Sequence, residues 1–302
     1  MIVESNLAKA LRSGRFVATA ELGPPKGADP EVVREKAKLL KGHVVAVNIT
    51  DNQTAIARMA SMAAGVIAMQ EGLEPVMQMT CRDRNRLAII SDVLGASALG
   101  IRNILCLTGD HTTFGNHPES KPVFDLDSIQ LIQMIRRMRD DGKFLCGEDA
   151  TGAPQLFVGA AENPFADPFG YRAIRLAKKV KAGAEFIQTQ LVYNVPKFAK
   201  WMEEVRKREL DQRVRILAGV GPLKSAGAAR YMKTSVPGLD VPDEIVNRMA
   251  AVKGRAARQE GIKVCVEIIQ QVREIPGVAG VHIMAIEWEE AVAEIVETAK
   301  LN

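Results

Sequence analysis

At 302 residues, with 47% hydrophobic and 25% charged side chains, the chain has the make-up of a soluble globular protein able to bury a large core. Forty Lys and Arg against 36 Asp and Glu leave a net charge of +4, spread without basic runs, which argues against nucleic acid and suits at most an anionic small ligand. Cys81, Cys106, Cys146 and Cys265 form no CxxC pair, and the longest nearly apolar run, 59–69, is shorter than the roughly 20 residues of a membrane span, so a reducing, cytoplasmic location is expected.

Short β-branched runs alternate with helical patterns along the whole chain. Strands are expected at 16–22, 43–50, 74–80, 103–110, 156–163, 186–193, 215–222 and 280–286. They are near-continuous apolar runs, as in parallel strands covered on both faces. The intervening segments 29–42, 85–100, 127–142 and 170–184 carry apolar residues at helical spacing, and 29–42 opens on an Asp cap and closes on a Gly. Eight strands separated by helices predict one closed (β/α)₈ TIM barrel, a single domain over 1–302. An open doubly wound sheet fits less well, because the pattern shows no break into two halves. Segment 235–279 is read as extra, with helical pieces at 243–254 and 259–277 between the seventh and eighth strands, and the loop 111–127 after the fourth strand is long.

The barrel gives meaning to "AELGPP", where Glu21 ends an apolar run just before Pro24 and Pro25. Proline removes ladder donors and stops a strand, so this carboxylate belongs at a strand mouth. Thr50, Gln78, Thr80, Asp110, Glu162, Asn163 and Gln190 end other strands in the same way. All would converge on the C-terminal rim, where such barrels build their sites. "GVGPLK" (219–224) lacks the third glycine of a dinucleotide fingerprint, since Lys224 stands there, although its backbone amides remain a possible anion cradle. His111 and His117, with Asp110 and Asp125, match no familiar metal-ligand spacing, so no metal site is expected.

With Glu21, Asp110 and Gln190 at strand ends, the chain resembles the methylenetetrahydrofolate reductase family over roughly residues 15–290. The resemblance is carried by "AELGPP", by "NIT" and "MTC", by "GIRNILCLTGD" (100–110), by "AKKVKAGAEFIQTQLVY" (177–193) and by "GVGP". It implies a flavin-bearing (β/α)₈ barrel with Glu21 as general acid, Asp110 on the folate side and Gln190 against the pterin. It also implies a flavin held by Thr50, Gly109 and Lys179. Gln78 stands where the family has a histidine, Thr108 where it has an arginine and Ala161 where it has a tyrosine, so these three line the same cofactor site with altered side chains. "AIEW" (285–288) lacks the arginine found near the folate tail. FAD is implied by the family, with FMN open. The implied electron donor is NADH, NADPH or a partner subunit, in an oligomer or larger complex.

The implied chemistry, in one-carbon metabolism, needs a proton for a departing nitrogen, stabilisation of an iminium cation and a hydride. A protonated, half-buried Glu21 supplies the first and an ionised Asp110 the second. A cofactor must supply the third, since no side chain does. A pterin-binding methyltransferase barrel, or a barrel serving only as a subunit of a redox complex, remains open as an alternative.

Overall fold

The computed structural model describes residues 3–301. Eight strands run in chain order around one closed parallel barrel: β1 (Val17–Leu22), β2 (Ala46–Ile49), β3 (Pro75–Thr80), β4 (Asn103–Leu107), β5 (Phe157–Glu162), β6 (Phe186–Leu191), β7 (Arg215–Val220) and β8 (Val278–Ile283). Closure is made by β1 on β8, with Thr19 opposite His282, while on the other side Glu21 lies opposite Asn48 of β2.

The helical shell follows from local sequence signals. In α2 (Pro30–Leu40), Asp29 accepts the Glu31 N–H at 2.9 Å and Pro30 takes the first turn, where no amide hydrogen is needed. Helix α5 (Ser128–Asp140) opens on a reciprocal capping box between Asp127 and Gln130. Helices α3 (Ser61–Gln70), α4 (Arg86–Ala98), α6 (Arg172–Ala182) and α7 (Val195–Lys207) follow β2, β3, β5 and β6 in the same shell.

Three differences from the sequence reading matter. First, β4 ends at Leu107, so Thr108, Gly109 and Asp110 stand in the loop beyond it, and β2 ends before Thr50. Gly109 has φ +95°, a conformation that breaks a strand ladder and favours glycine. Second, three helices lie between β7 and β8: α8 (Ala226–Ser235), α9 (Asp243–Ala250) and α10 (Gly254–Arg273). Helix α10 packs on β7, β8, α7 and α11 (Ala291–Thr298), so it is the regular shell helix and α8 and α9 are the additions. Third, α1 (Asn6–Arg12) precedes the barrel and plugs its N-terminal end. Its buried Leu7, Ala8 and Leu11 pack with Val17, Val76, Phe157, Phe186 and Leu217, and Glu74 accepts the Asn6 and Leu7 N–H groups at 2.7 and 2.9 Å.

Candidate active site

Strand side chains alternate between barrel interior and shell, so residues two apart on one strand climb the interior in layers. The lowest layer is apolar. Phe157 and Phe186 stack with ring centroids 5.0 Å apart, and a Cβ on Gly159 would lie 2.2 Å from the Phe186 ring. Only glycine fits there.

The next layer is polar and closed on itself. Gln188 Nε2 donates to Asn48 Oδ1 at 3.0 Å and to Thr19 Oγ1 at 3.4 Å, and Asn48 Nδ2 donates to Gln188 Oε1 at 2.5 Å. Thr19 Oγ1 lies 3.0 Å from His282 Nδ1. Burial pushes the His282 imidazole down to about 3, so the ring is neutral at ordinary pH.

Above this floor opens a cavity of 320 Å³ at the C-terminal ends of the strands. Glu21, Gln78, Ala161, Lys179 and Gln190 all border it, together with His282, Gln188 and Met284. Its walls are amide-rich on one side and apolar at Leu105, Leu107 and Ala161, while Arg172 and Arg175 bring positive charge to its edge.

Glu21 sits on β1 with its carboxyl drawn out of water, and this burial is the main reason its pKa is pushed up to about 7. The Gln53 amide donates to Glu21 Oε1 at 3.3 Å and, with Lys36 and Arg58, opposes that rise, whereas Glu289 adds to it. Glu21 is thus protonated in a substantial fraction of molecules at neutral pH. Gln53 occupies a tight loop in which Asn52, Thr54 and Ala55 have φ of 45°, 56° and 57°, a costly backbone for residues with side chains.

Lys179 of α6 is buried against β5, with Nζ 2.9 Å from Glu162 Oε2 and also bonded to the Ala161 carbonyl. Burial lowers its pKa, opposed by the charge of Glu162. The cation expected near a phosphate therefore already has a buried carboxylate partner. Gln190 also bonds to its own chain, its Oε1 accepting the Leu191 N–H at 3.0 Å.

Thr50, Thr108, Gly109 and Asp110 lie outside the cavity's lining. The Thr50 hydroxyl is buried with no hydrogen-bond partner among the described residues. Thr108 Oγ1 accepts the Ser128 N–H at 3.2 Å, at the start of α5. Gly109 packs so closely that a Cβ would lie 3.1 Å from the Arg82 Cβ and 3.2 Å from the Thr80 Cβ. Asp110 is exposed, and Arg82 holds its backbone carbonyl at 3.1 Å. Buried Arg82 also pairs with Asp83 at 2.7 Å, while Asp51 takes Arg84 at 2.8 Å, so the rim beyond β2 to β4 is cross-braced by charge.

A larger groove of 860 Å³ opens outside the barrel, where α8 and α10 begin. It contains none of the strand-end residues that border the smaller cavity, and Lys253, Arg255 and Arg258 there are solvent-exposed. His111 contacts Thr113 and His117 contacts Glu119, and no metal-like cluster of three or more His, Cys, Asp or Glu side chains occurs among the described residues. Nor, among them, is any helix long and apolar enough to cross a membrane.

The polar floor and Gln53 were not picked out from the sequence. A signal for the floor existed: Thr19 and Glu21, Gln188 and Gln190, and His282 and Met284 are pairs two residues apart within apolar strands, the spacing of one barrel face. Gln53 had no such signal, since loop conformation decides where it points.

The chain has been compared with known proteins. Methylenetetrahydrofolate reductase 2 of Schizosaccharomyces pombe is 27% identical over 253 residues, which cover 79% of this chain and 37% of that protein. The probable methylenetetrahydrofolate reductase (NADPH) of Caenorhabditis elegans is 23% identical over 297 residues, 93% of this chain and 42% of its own. This chain thus spans well under half the length of these relatives. Among solved structures, a protein from Clostridium thermocellum described as binding two copies of 5-methyl-5,6,7,8-tetrahydrofolic acid superposes with a TM-score of 0.68, at 14% identity, covering 99% of this chain and 100% of that one, which shows the shared fold. The family model described as methylenetetrahydrofolate reductase matches residues 6–300, nearly the whole chain. By that match the chain belongs to the methylenetetrahydrofolate reductase family.

Proposed function

We propose that this chain interconverts methylenetetrahydrofolate and methyltetrahydrofolate, with Glu21 as the general acid. The observation that carries this reading is the Glu21 carboxyl at the cavity wall, held by burial at a pKa of about 7. An acid tuned close to the working pH is protonated often enough to donate and acidic enough to release. Family membership and the names of the relatives support the substrate. The methyltetrahydrofolate named for the Clostridium thermocellum barrel supports it as well.

The cavity suits a flat, heteroatom-edged ring. Its 320 Å³ lies near the lower limit for ligand pockets, enough for a ring system but not a whole dinucleotide. Amide groups of Gln78 and Gln190 can pair with ring edges, and Leu107, Ala161 and Met284 offer apolar contact. These residues would suit a flavin, FAD or FMN; the Thr50 hydroxyl, which has no hydrogen-bond partner among the described residues, and the Gly109 turn lie outside the cavity lining. Arg172 and Arg175 would face the flavin's phosphate side, with Lys179 contributing through its pair with Glu162. When bound, the flavin supplies the hydride.

The chain's own part is protonic and electrostatic. Glu21 gives its proton to the departing substrate nitrogen, and Asp110, exposed just beyond β4, steadies the iminium cation that results. Gln190 fixes the pterin edge, and the rigid floor of His282, Thr19, Gln188 and Asn48 sets the depth to which the ring can sink. Reducing equivalents come from NADH or NADPH, as the C. elegans relative's name suggests for NADPH, or from a partner subunit in a larger assembly.

The test is Glu21→Gln, which keeps the shape and removes the acidic proton. Folate and flavin binding should persist while turnover falls by about 10²–10⁴-fold. Near-normal turnover would remove Glu21 from the mechanism. A protein that takes up neither FAD nor FMN would favour a pterin-binding methyltransferase instead.

A further inference from the structure

Glu21 borders a second cavity as well. A separate space of 40 Å³, sharing only Glu21 with the substrate cavity, is lined by Glu21, Lys36, Gln53, Arg58, Glu287 and Glu289 among others. A volume of that size holds about one water, and its polar walls offer the partners such a water needs. Glu289, 6% exposed, is a carboxylate that the chemistry above does not use. Lys36 Nζ holds it at 2.6 Å and also donates to the Gly23 carbonyl at 3.1 Å, so the pair is anchored to the loop that follows β1. Glu287, which also lines the space, is exposed and stands 3.9 Å from Arg58, so the lining reaches from the acid to a side chain in contact with solvent.

We propose that this rear cavity is the route by which solvent protons reach Glu21. The inference rests on Glu21 being the general acid. Each reduction then moves one proton from Glu21 to a substrate nitrogen, and the hydride from the cofactor completes the new methyl group. Glu21 is left as a carboxylate, and one proton from bulk water must restore it before the next turnover. Ligands that fill the 320 Å³ cavity close the front approach, whereas the rear approach stays open. Glu289, through a water in the rear cavity, hands the proton to Glu21 and regains one at the Glu287 mouth. The charged groups facing Glu21 divide accordingly. Lys36 from α2, Arg58 from the loop after β2, and Glu287 and Glu289 from the loop after β8 stand at the rear. Arg172, Arg175 and the Lys179–Glu162 pair stand across the front cavity.

Two variants of the flavin-loaded protein test the route. Ala285→Val fills the rear cavity from its wall, and Glu289→Leu combined with Lys36→Met removes the relay together with its counter-charge. In each, kcat should fall roughly tenfold, short of the ~10²-fold or greater fall that marks loss of the acid itself. The KM for methylenetetrahydrofolate and the rate of flavin reduction by the donor should stay at wild-type values, which also reports an intact fold. Imidazolium, a small diffusible acid, should restore the lost rate in the Glu289→Leu, Lys36→Met variant, whose shorter side chains leave the rear cavity unfilled. Wild-type kcat in Ala285→Val, or a loss in the double variant that imidazolium does not restore, overturns the route. If Glu21→Gln is inactive in the same assays, the acid assignment survives that failure; if it is active, the assignment itself has failed.

Discussion

If Glu21 is the general acid proposed above, its surroundings set the reaction's pH window. Its ordinary value of 4.5 rises to about 7 chiefly because burial penalises the carboxylate. The reduction rate should therefore be highest at low pH and fall as pH rises through about 7, as the acid loses its proton. In Gln53→Ala the hydrogen bond that favours the carboxylate is gone, so the breakpoint should move to higher pH; a profile unchanged from wild type would show that Gln53 has no hold on the acid. The same shift bears on stability. Below 4.5 Glu21 is protonated whether folded or unfolded, and between 4.5 and about 7 only the folded form keeps its proton. Its burial is thus harmless in acid and costs the fold more as pH rises, up to about 3 kcal/mol above pH 7. Glu21→Gln should accordingly be more stable than wild type at pH 8 and no more stable at pH 4. Urea titrations at the two pH values measure the difference.

At the scale of the element, strand ends decide which residues meet. The eight strands were legible because runs buried on both faces leave a continuous apolar signature. Their ends were not. The run "NILCLTGD" reads as strand through Asp110, yet the chain leaves the ladder at Leu107, because Gly109 turns to φ +95°. Hydrophobic pattern carries no record of such a turn. The same limit explains why Thr50 and Asp110, expected among the converging strand-end residues, do not line the cavity. Glu21, Gln78 and Gln190 lie within strands β1, β3 and β6 and share a cavity, while Asp110 sits beyond β4 on a loop braced by Arg82. The helix α10 was likewise visible as a helix, but its place in the shell depends on contacts with β7 and β8 that spacing alone does not encode. Gly109→Ala tests the brace. It forces a side chain into a left-handed backbone and brings Cβ to 3.1 Å from Arg82, so it should cost about 1–2 kcal/mol and shift Asp110. A variant with wild-type stability and turnover would mean that the turn relaxes freely.

The whole molecule separates holding the barrel from working it. At the C-terminal end lie the cavity, the titratable Glu21 and the loops; at the N-terminal end α1 seals an apolar layer beneath the polar floor. Leu7 is fully buried in that seal, among the Phe157, Phe186 and Leu217 side chains. Truncating it leaves a hole in the apolar layer that holds the stacked Phe157 and Phe186 rings. Leu7→Ala should therefore destabilise the fold by about 2–5 kcal/mol. Between the hole and the reaction cavity stands the closed set of Asn48, Gln188, Thr19 and His282, whose hydrogen bonds hold the floor in register across four strands. At temperatures where the variant remains folded, kcat and the pH breakpoint should match those of wild type. A turnover that falls in step with stability under those conditions would show that the floor passes disorder upward and that the two ends of the barrel are mechanically one.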